Sequence, residues 1–361
     1  MNTRMTRLAA LGMAAGLSLV TLAGCGGNQS TSGGGSSPGA GGGAKIALLL
    51  PETKTTRYET FDKPYFEEAL KGECSGCTLI YNNANQDAAK QQQQAESAMT
   101  QGAKVLVLDA VDGKSAVTIV NEAKAKGVKV LAYDRFVAGA DYYVSFDNQK
   151  VGQLQGTTLV DILKKSGKTS GDLVMVNGSP TDANAADFKK GAHSVLDSSG
   201  FTIKAEYDTP DWSPDKAQSF MESQLSSVKP NLVGVYAAND GTAGGVITAL
   251  KSGGVNPMVP VTGQDAELTG IQRIVAGDQA MTVYKAIKPE ASDAAKNAVL
   301  LANGKAPASA TTKDSVPATL LTPVVVTKTN IKDTVVKDGF ETIPQICTPQ
   351  YADACKAAGL Q

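Results

Sequence analysis

Lys45-Ile46-Ala47-Leu48-Leu49-Leu50, running straight into Pro51-Glu52-Thr53-Lys54, decides the fold class. Five apolar residues in a row leave no polar face, so the segment reads as a strand buried on both sides in a parallel sheet covered by helices. The same signal recurs at Thr78–Tyr81, Val105–Leu108 and Val128–Ala132, with helical patterns between at Tyr58–Lys71, Asp87–Thr100 and Lys114–Lys126. Tyr142–Phe146 adds a strand, placed at the sheet edge. The alternation then restarts. Helices are expected at Val151–Lys165, Asp187–Leu196, Pro214–Ser226, Ala243–Ser252, Ala266–Ala276 and Pro289–Asn303. Strands are expected at Leu173–Val176, Phe201–Ala205, Leu232–Tyr236, Val259–Thr262, Met281–Val283 and Val324–Val326. Strands alternating with helices of about 10–15 residues build βαβ units, and two successive blocks make two α/β domains.

Upstream, Met1–Arg7 carries Arg4 and Arg7 and no acid, and Leu8–Gly24 is apolar and small. A basic start, a short apolar run and a small-residue cleavage site define a secretory signal. The run falls short of the ~20 apolar residues of a comfortable spanning helix. Leu22-Ala23-Gly24-Cys25 resembles the lipobox of bacterial lipoproteins, which implies cleavage before Cys25 and lipid on its thiol; the alternative is an ordinary signal peptide that ends at Cys. Residues 26–43 are nearly all Gly, Ser, Asn, Gln and Thr, a flexible tether of about 20–25 Å mean reach, at ~5–6 Å times the square root of its length. Gly35-Ser36-Ser37-Pro38-Gly39 matches the hydrolase pattern G-x-S-x-G but lies in this tether, not between a strand and a helix.

Hydrophobic residues make up 42% of the chain, enough for a normal core, and Lys+Arg 34 nearly cancels Asp+Glu 35. With no basic excess, nucleic acid is not an expected partner. Export removes transcription-factor functions and most enzyme classes. Beyond Cys25, the cysteines fall into two close pairs, Cys74 with Cys77 and Cys347 with Cys355. An even remainder in an exported chain favours structural disulfides. A redox pair belongs at the start of a helix, whereas Cys74-Ser75-Gly76-Cys77 closes one; a zinc site needs the fold to bring the two pairs together.

In open α/β sheets ligands bind beyond the carboxyl ends of the strands. Those exits read Arg57-Tyr58, Tyr133-Asp134-Arg135, Asp182-Ala183-Asn184, Asn239-Asp240, Gln264-Asp265 and Tyr284-Lys285. Asp and Asn there also serve as helix N-caps, a role that fits Asp182 and Asp240. Caps do not account for Arg57, Arg135 and Lys285. A small polyol accounts for the whole set: carboxylates accept from hydroxyls, while Arg, Lys and Asn donate to them. Tyr58 and Trp212, the single tryptophan, offer flat faces for the C–H side of a sugar.

Catalytic readings are weak. The one histidine, His193, lies within a helix, and no G-x-x-x-x-G-K-[ST], G-x-G-x-x-G or EF-hand pattern occurs. Lys168-Thr169 follows a Gly, but Ile162 stands where a P-loop needs its first glycine. The Asp residues come with Arg and Lys partners expected to hold them ionised, which suits binding better than the acid of a glycosidase. No metal or cofactor is called for.

Between Lys45 and Phe340 the chain closely resembles the bacterial sugar-binding proteins of ABC importers in the ribose-binding class. The resemblance rests on Ala132-Tyr133-Asp134-Arg135, Ser145-Phe146-Asp147-Asn148, Gly178-Ser179-Pro180, Asn239-Asp240, Gly263-Gln264-Asp265-Ala266, Met281-Thr282-Val283-Tyr284-Lys285 and the run Lys332 to Phe340. It implies a type I periplasmic binding protein: two doubly wound parallel-sheet lobes, 44–148 with 285–321 and 149–284 with 322–361, joined by three crossings near Asn148, Tyr284 and Thr322. It implies a monosaccharide held by Arg57, Asp134, Arg135, Asp182, Asn184, Asn239, Asp265 and Lys285, with Trp212 on one sugar face and Tyr58 on the other. D-xylose receptors are the nearest pattern, multi-sugar (galactose, glucose, arabinose) receptors the next. Tyr58 stands where the xylose receptors carry Trp, and Ala183 where the family carries Asn. The Cys74–Cys77 loop and the tail beyond Pro344 look like additions to the family core. The implied partners are an ABC permease and, through Cys25, the outer face of the cytoplasmic membrane, with the receptor acting as a monomer; a sugar sensor feeding a kinase is the alternative.

Overall fold

The computed structural model describes residues 43–360. The expected signal peptide (1–24), Cys25 and all of the tether except Gly43 lie outside them. Along the first block run β1 (Lys45–Leu50), α1 (Lys63–Glu73), β2 (Thr78–Asn83), α2 (Ala88–Thr100), β3 (Ala103–Leu108), α3 (Val117–Ala125), β4 (Lys129–Tyr133) and β5 (Tyr142–Phe146). The second block holds α4 (Asn148–Lys165), β6 (Asp172–Asn177), α5 (Ala183–Leu196), β7 (Thr202–Asp208), α6 (Pro214–Val228), β8 (Leu232–Ala237), α7 (Asp240–Ser252), α8 (Leu268–Ala276) and β9 (Thr282–Tyr284). There follow α9 (Ile287–Ala302), β10 (Thr311–Lys313), β11 (Val316–Leu321), β12 (Val324–Val326), α10 (Ile343–Ile346) and α11 (Ala352–Ala357).

The unbroken apolar run of β1 has its cause in two covered faces. Ile46, Leu48 and Leu50 pack with Phe66 of α1 and Ala291–Ala298 of α9, while Ala47 and Leu49 face Ala95, Ala98, Ile119 and Val120 of α2 and α3. The first sheet has the order β10-β11-β5-β4-β3-β1-β2, parallel except for the β10–β11 pair. The second lobe contains the parallel sheet β7-β6-β8 and the antiparallel pair β12-β9. The chain passes between lobes after β5, after β9 and between β11 and β12. The two lobes meet at the rim of the cleft: Gly113 N donates to Thr181 O at 3.1 Å and Thr181 Oγ1 to Val111 O at 3.2 Å. Lys313 at the tip of β10 pairs with Asp187 of α5 across the same rim. The lobes are therefore closed.

Several elements differ from the expectations. Tyr142–Phe146 is not an edge strand, because β11 pairs with it in parallel on its far side. The β10–β11 hairpin was not foreseen; β11 pairs with β5, about 170 residues away in sequence. Val259–Thr262 shrinks to one bridge, Val235 with Val261, where Pro260 offers no N–H. Helix α5 begins at Ala183 rather than Asp187, with Asp182 as its cap. Helix α8 begins at Leu268 rather than Ala266, because Asp265 and Ala266 have φ of 93° and 52°. The turn at Tyr58–Asp62 is π-helical before α1 starts.

Cys74 is bonded to Cys77 and Cys347 to Cys355. The pairs sit in different apolar clusters, so they do not meet as a four-thiolate zinc site. Among the described residues no helix is long and apolar enough to cross a membrane.

Candidate functional site

The carboxyl ends of both parallel sheets open onto one cleft, and the closed lobes leave a small polar cavity there. Its lining contains Arg57, Tyr58, Asp134, Arg135, Asp182, Asn184, Trp212, Asn239, Asp265 and Lys285, together with Thr55, Phe188 and Gln264. All ten residues singled out from the sequence thus come together. The other three were missed. Gln264 stood in a quoted strand exit beside the more conspicuous Asp265. Phe188 lies one helical turn beyond Asn184, a position visible only once α5 is known to start at Ala183.

Two guanidinium groups organise the charge. Arg57 donates from Nε and Nη2 to Asp62 at 2.9 and 2.7 Å, from Nη2 to Glu290 at 2.9 Å and from Nη1 to Asp134 at 3.1 Å. Asp134 also accepts from Lys285 Nζ at 3.3 Å, and Lys285 lies 3.8 Å from Asp265. Arg135 pairs with Asp182 at 2.8 Å and with Asp109 at 3.5 Å, and donates from Nη2 to the Tyr58 hydroxyl at 3.1 Å. Asp182 caps α5 through Asn184 N at 2.8 Å and accepts from Trp212 Nε1 at 3.0 Å. Asn184 in turn donates to Asp134 O at 3.1 Å, across the lobes. Asn239 caps α7 through Thr242 N at 2.9 Å.

Trp212 lies over Gly178. A Cβ at Gly178 would come within 2.0 Å of the indole, so only glycine leaves room for the ring. Phe188 meets the ring edge at 6.3 Å and also lies 5.8 Å from the Lys285 ammonium. Asp134, Trp212 and Asp265 have φ of 52°, 54° and 93°, a left-handed conformation that non-glycine residues avoid. Such strain persists only where the surroundings enforce it, and it gathers at functional sites.

Burial opposes ionisation of Asp134, but Arg57 and Lys285 overcome it and hold its carboxyl below the usual range. Asp182 departs from the expectation that its partners keep it readily ionised: burial outweighs Arg135 and moves its carboxyl upward. Burial likewise raises Asp109 against Arg135, and Glu290 against Arg57. The sole histidine, His193, lies outside the cavity lining, with Asp197 at 2.9 Å and Glu206 at 3.1 Å.

Beneath the cavity floor, Asp240 accepts from Glu267 N at 2.9 Å, Thr282 Oγ1 at 3.0 Å and Gln279 Nε2 at 2.6 Å. Burial pushes Asp240 up to about 7 and Glu267 up to about 8. Both lie above the ~4 of unfolded carboxyls. Folding therefore favours their protonated forms; the stability they contribute is full below about pH 4 and is lost as pH rises through 7 to 8. The apo melting temperature should fall between pH 5 and pH 9. A flat or rising profile would show that neither carboxyl is displaced.

A closed cleft between two parallel-sheet lobes, lined by interlocked acids, bases and aromatic rings, defines a receptor that encloses a small polar ligand. The chain matches the periplasmic binding protein domain over residues 46–306 and belongs to that family. It is 41% identical over 306 residues to the D-xylose-binding periplasmic protein of Escherichia coli K12, covering 82% of this chain and 90% of that one. A multiple sugar-binding periplasmic protein of Azospirillum brasilense is 38% identical, with 73% and 80% covered. Among solved structures, an ABC transporter solute binding protein from Clostridium phytofermentans with bound β-D-glucose superposes with a TM-score of 0.76 at 29% identity, covering 84% of this chain and 99% of that one. The chain is a receptor of the periplasmic sugar-binding type and not an enzyme.

Proposed function

We propose that this chain captures D-xylose between its lobes and delivers it to an ABC permease, as a monomer tethered by lipid on Cys25 to the outer face of the cytoplasmic membrane. The observation that carries this reading is the convergence of ten strand-exit and loop residues, drawn from both lobes, on one closed polar cavity. In it Arg57, Arg135, Lys285, Asn184 and Asn239 donate to sugar oxygens, Asp134, Asp182 and Asp265 accept from hydroxyls, and Tyr58 and Trp212 cover the apolar faces. Residues 44–148 with 285–321 act as one lobe and 149–284 with 322–361 as the other, opening by a hinge at the three crossings. The similarity to D-xylose-binding proteins favours the pentose. Bound β-D-glucose in the Clostridium phytofermentans protein supports a glucose-type hexose as the second reading. A tether keeps the receptor at high effective concentration beside its permease.

A thermal-shift panel of monosaccharides tests the ligand. A sugar at 100 times its dissociation constant adds about 2.7 kcal/mol of stability. D-xylose should give the largest rise; a larger rise with glucose replaces the sugar, and no rise with any pentose or hexose overturns the receptor reading. The intact mass of the membrane-extracted protein tests the anchor, which an unmodified Cys25 would exclude.

A further inference from the structure

We propose that Gln264 is a specificity-determining residue of the same cavity, its carboxamide oxygen accepting one particular ligand hydroxyl. The inference rests on the receptor reading above and goes beyond the residues named there. Gln264 lines the cavity and is 2% exposed. Its Nε2 donates to the neighbouring Asp265 carboxylate. Its Oε1 is buried and, among the described residues, has no hydrogen-bond partner. The reverse amide orientation would set Oε1 against that carboxylate, so electrostatics fix the oxygen as the free end. A buried acceptor left without a donor costs about 1–3 kcal/mol. The cavity's cations pair with carboxylates and not with this oxygen: Arg57 with Asp62, Glu290 and Asp134, Arg135 with Asp182, Lys285 with Asp134. A ligand hydroxyl would supply the donor that this oxygen lacks.

The backbone holds Gln264 in this place at the expense of strain. Asp265 and Ala266 take left-handed φ of 93° and 52°. Each flanking group is pinned: Gln264 O by Asp240 N at 2.9 Å, Asp265 N by Val283 O at 2.9 Å, Ala266 N by Thr282 Oγ1 at 3.2 Å. Gly263 leaves no room for a side chain, since a Cβ there would lie 2.0 Å from Asp240 Oδ1. A turn fixed at four successive residues presents a pre-organised acceptor. A neutral acceptor is also what this corner tolerates, because a second carboxylate would face Asp265 directly.

The test is calorimetric titration of wild type, Gln264→Met and Gln264→Glu with D-xylose, D-glucose and the monodeoxy forms of the tighter binder, with apo melting curves as the folding check. Gln264→Met, close in length and without the amide, should bind the parent sugar about 10–100-fold more weakly. It should bind one monodeoxy sugar as wild type does. Gln264→Glu should lose affinity at pH 8 and regain it at pH 5, as the added carboxyl protonates beside Asp265. Parent-sugar affinity within twofold of wild type for Gln264→Met, or an equal loss across every deoxy analogue, overturns the assignment while leaving the receptor reading intact. Wild type that binds no sugar overturns the receptor reading itself, and this one with it.

Discussion

Asp134→Asn will weaken sugar binding by about a hundredfold while the protein still folds. Asp134 sits where the first lobe, the second lobe and the hinge meet. Its Oδ1 accepts from Arg57 and Lys285, and its carbonyl accepts from Asn184 Nδ2 at 3.1 Å, Tyr143 OH at 2.9 Å and Ser145 Oγ at 2.6 Å. Hydrogen bonds to charged groups contribute about 1.5–3 kcal/mol each. The amide keeps the shape but removes the charge that Arg57 and Lys285 share. Arg57 retains Asp62 and Glu290, so the fold keeps its buried guanidinium paired. Asp134→Ala is the harsher variant: it empties the position and should also lower the melting temperature, since breaking a buried pair costs about 3–5 kcal/mol. Calorimetry on Asp134→Asn decides the matter; affinity within twofold of wild type would remove Asp134 from the ligand shell.

Trp212→Ala should cost both affinity, by at least tenfold, and stability. The ring is 5% exposed and belongs to the apolar cluster of the second lobe with Phe188, Met175 and Tyr236. Truncating a buried Trp costs about 3–5 kcal/mol. The indole N–H also helps to set Asp182, which pairs with Arg135. Two further variants separate binding from folding. Trp212→Phe keeps a ring and loses the N–H, and should retain most stability with reduced affinity. Gly178→Ala leaves the tryptophan in the chain but pushes the ring from its seat, so affinity should fall here too. Full affinity in Trp212→Ala would show that the ring is a core residue and nothing more.

These expectations mark how far local pattern reaches. The βαβ alternation was legible because a strand with both faces covered shows as an unbroken apolar run, and β1, β3, β4 and β8 are such runs. The candidate ligand residues were legible because strand exits are where an α/β sheet presents side chains. β10 and β11 were not legible. β11 takes its strand character from a parallel partner in β5 that no local window contains, and β10 pairs only with β11. The dual nature of Trp212 was half legible: a flat face for a sugar was expected, while its seat over Gly178 and against Phe188 in the apolar cluster was not. Gln264 was overlooked because an amide is indistinct in sequence until its free oxygen is seen.

By itself the sequence determined two parallel α/β lobes, the polyol-like chemistry of their strand ends and the pairing of close cysteines, because each depends on residues near one another in the chain. Tertiary structure alone decided in which direction each acid is shifted. Asp134 and Asp182 follow their strands in similar ways, yet Asp134 is held low by two cations and Asp182 is pushed up by burial. Ionisation in a closed cleft depends on every charge within a few ångströms and on excluded water. Those neighbours come from Arg57, Asp109, Lys285 and Glu290, which only folding assembles.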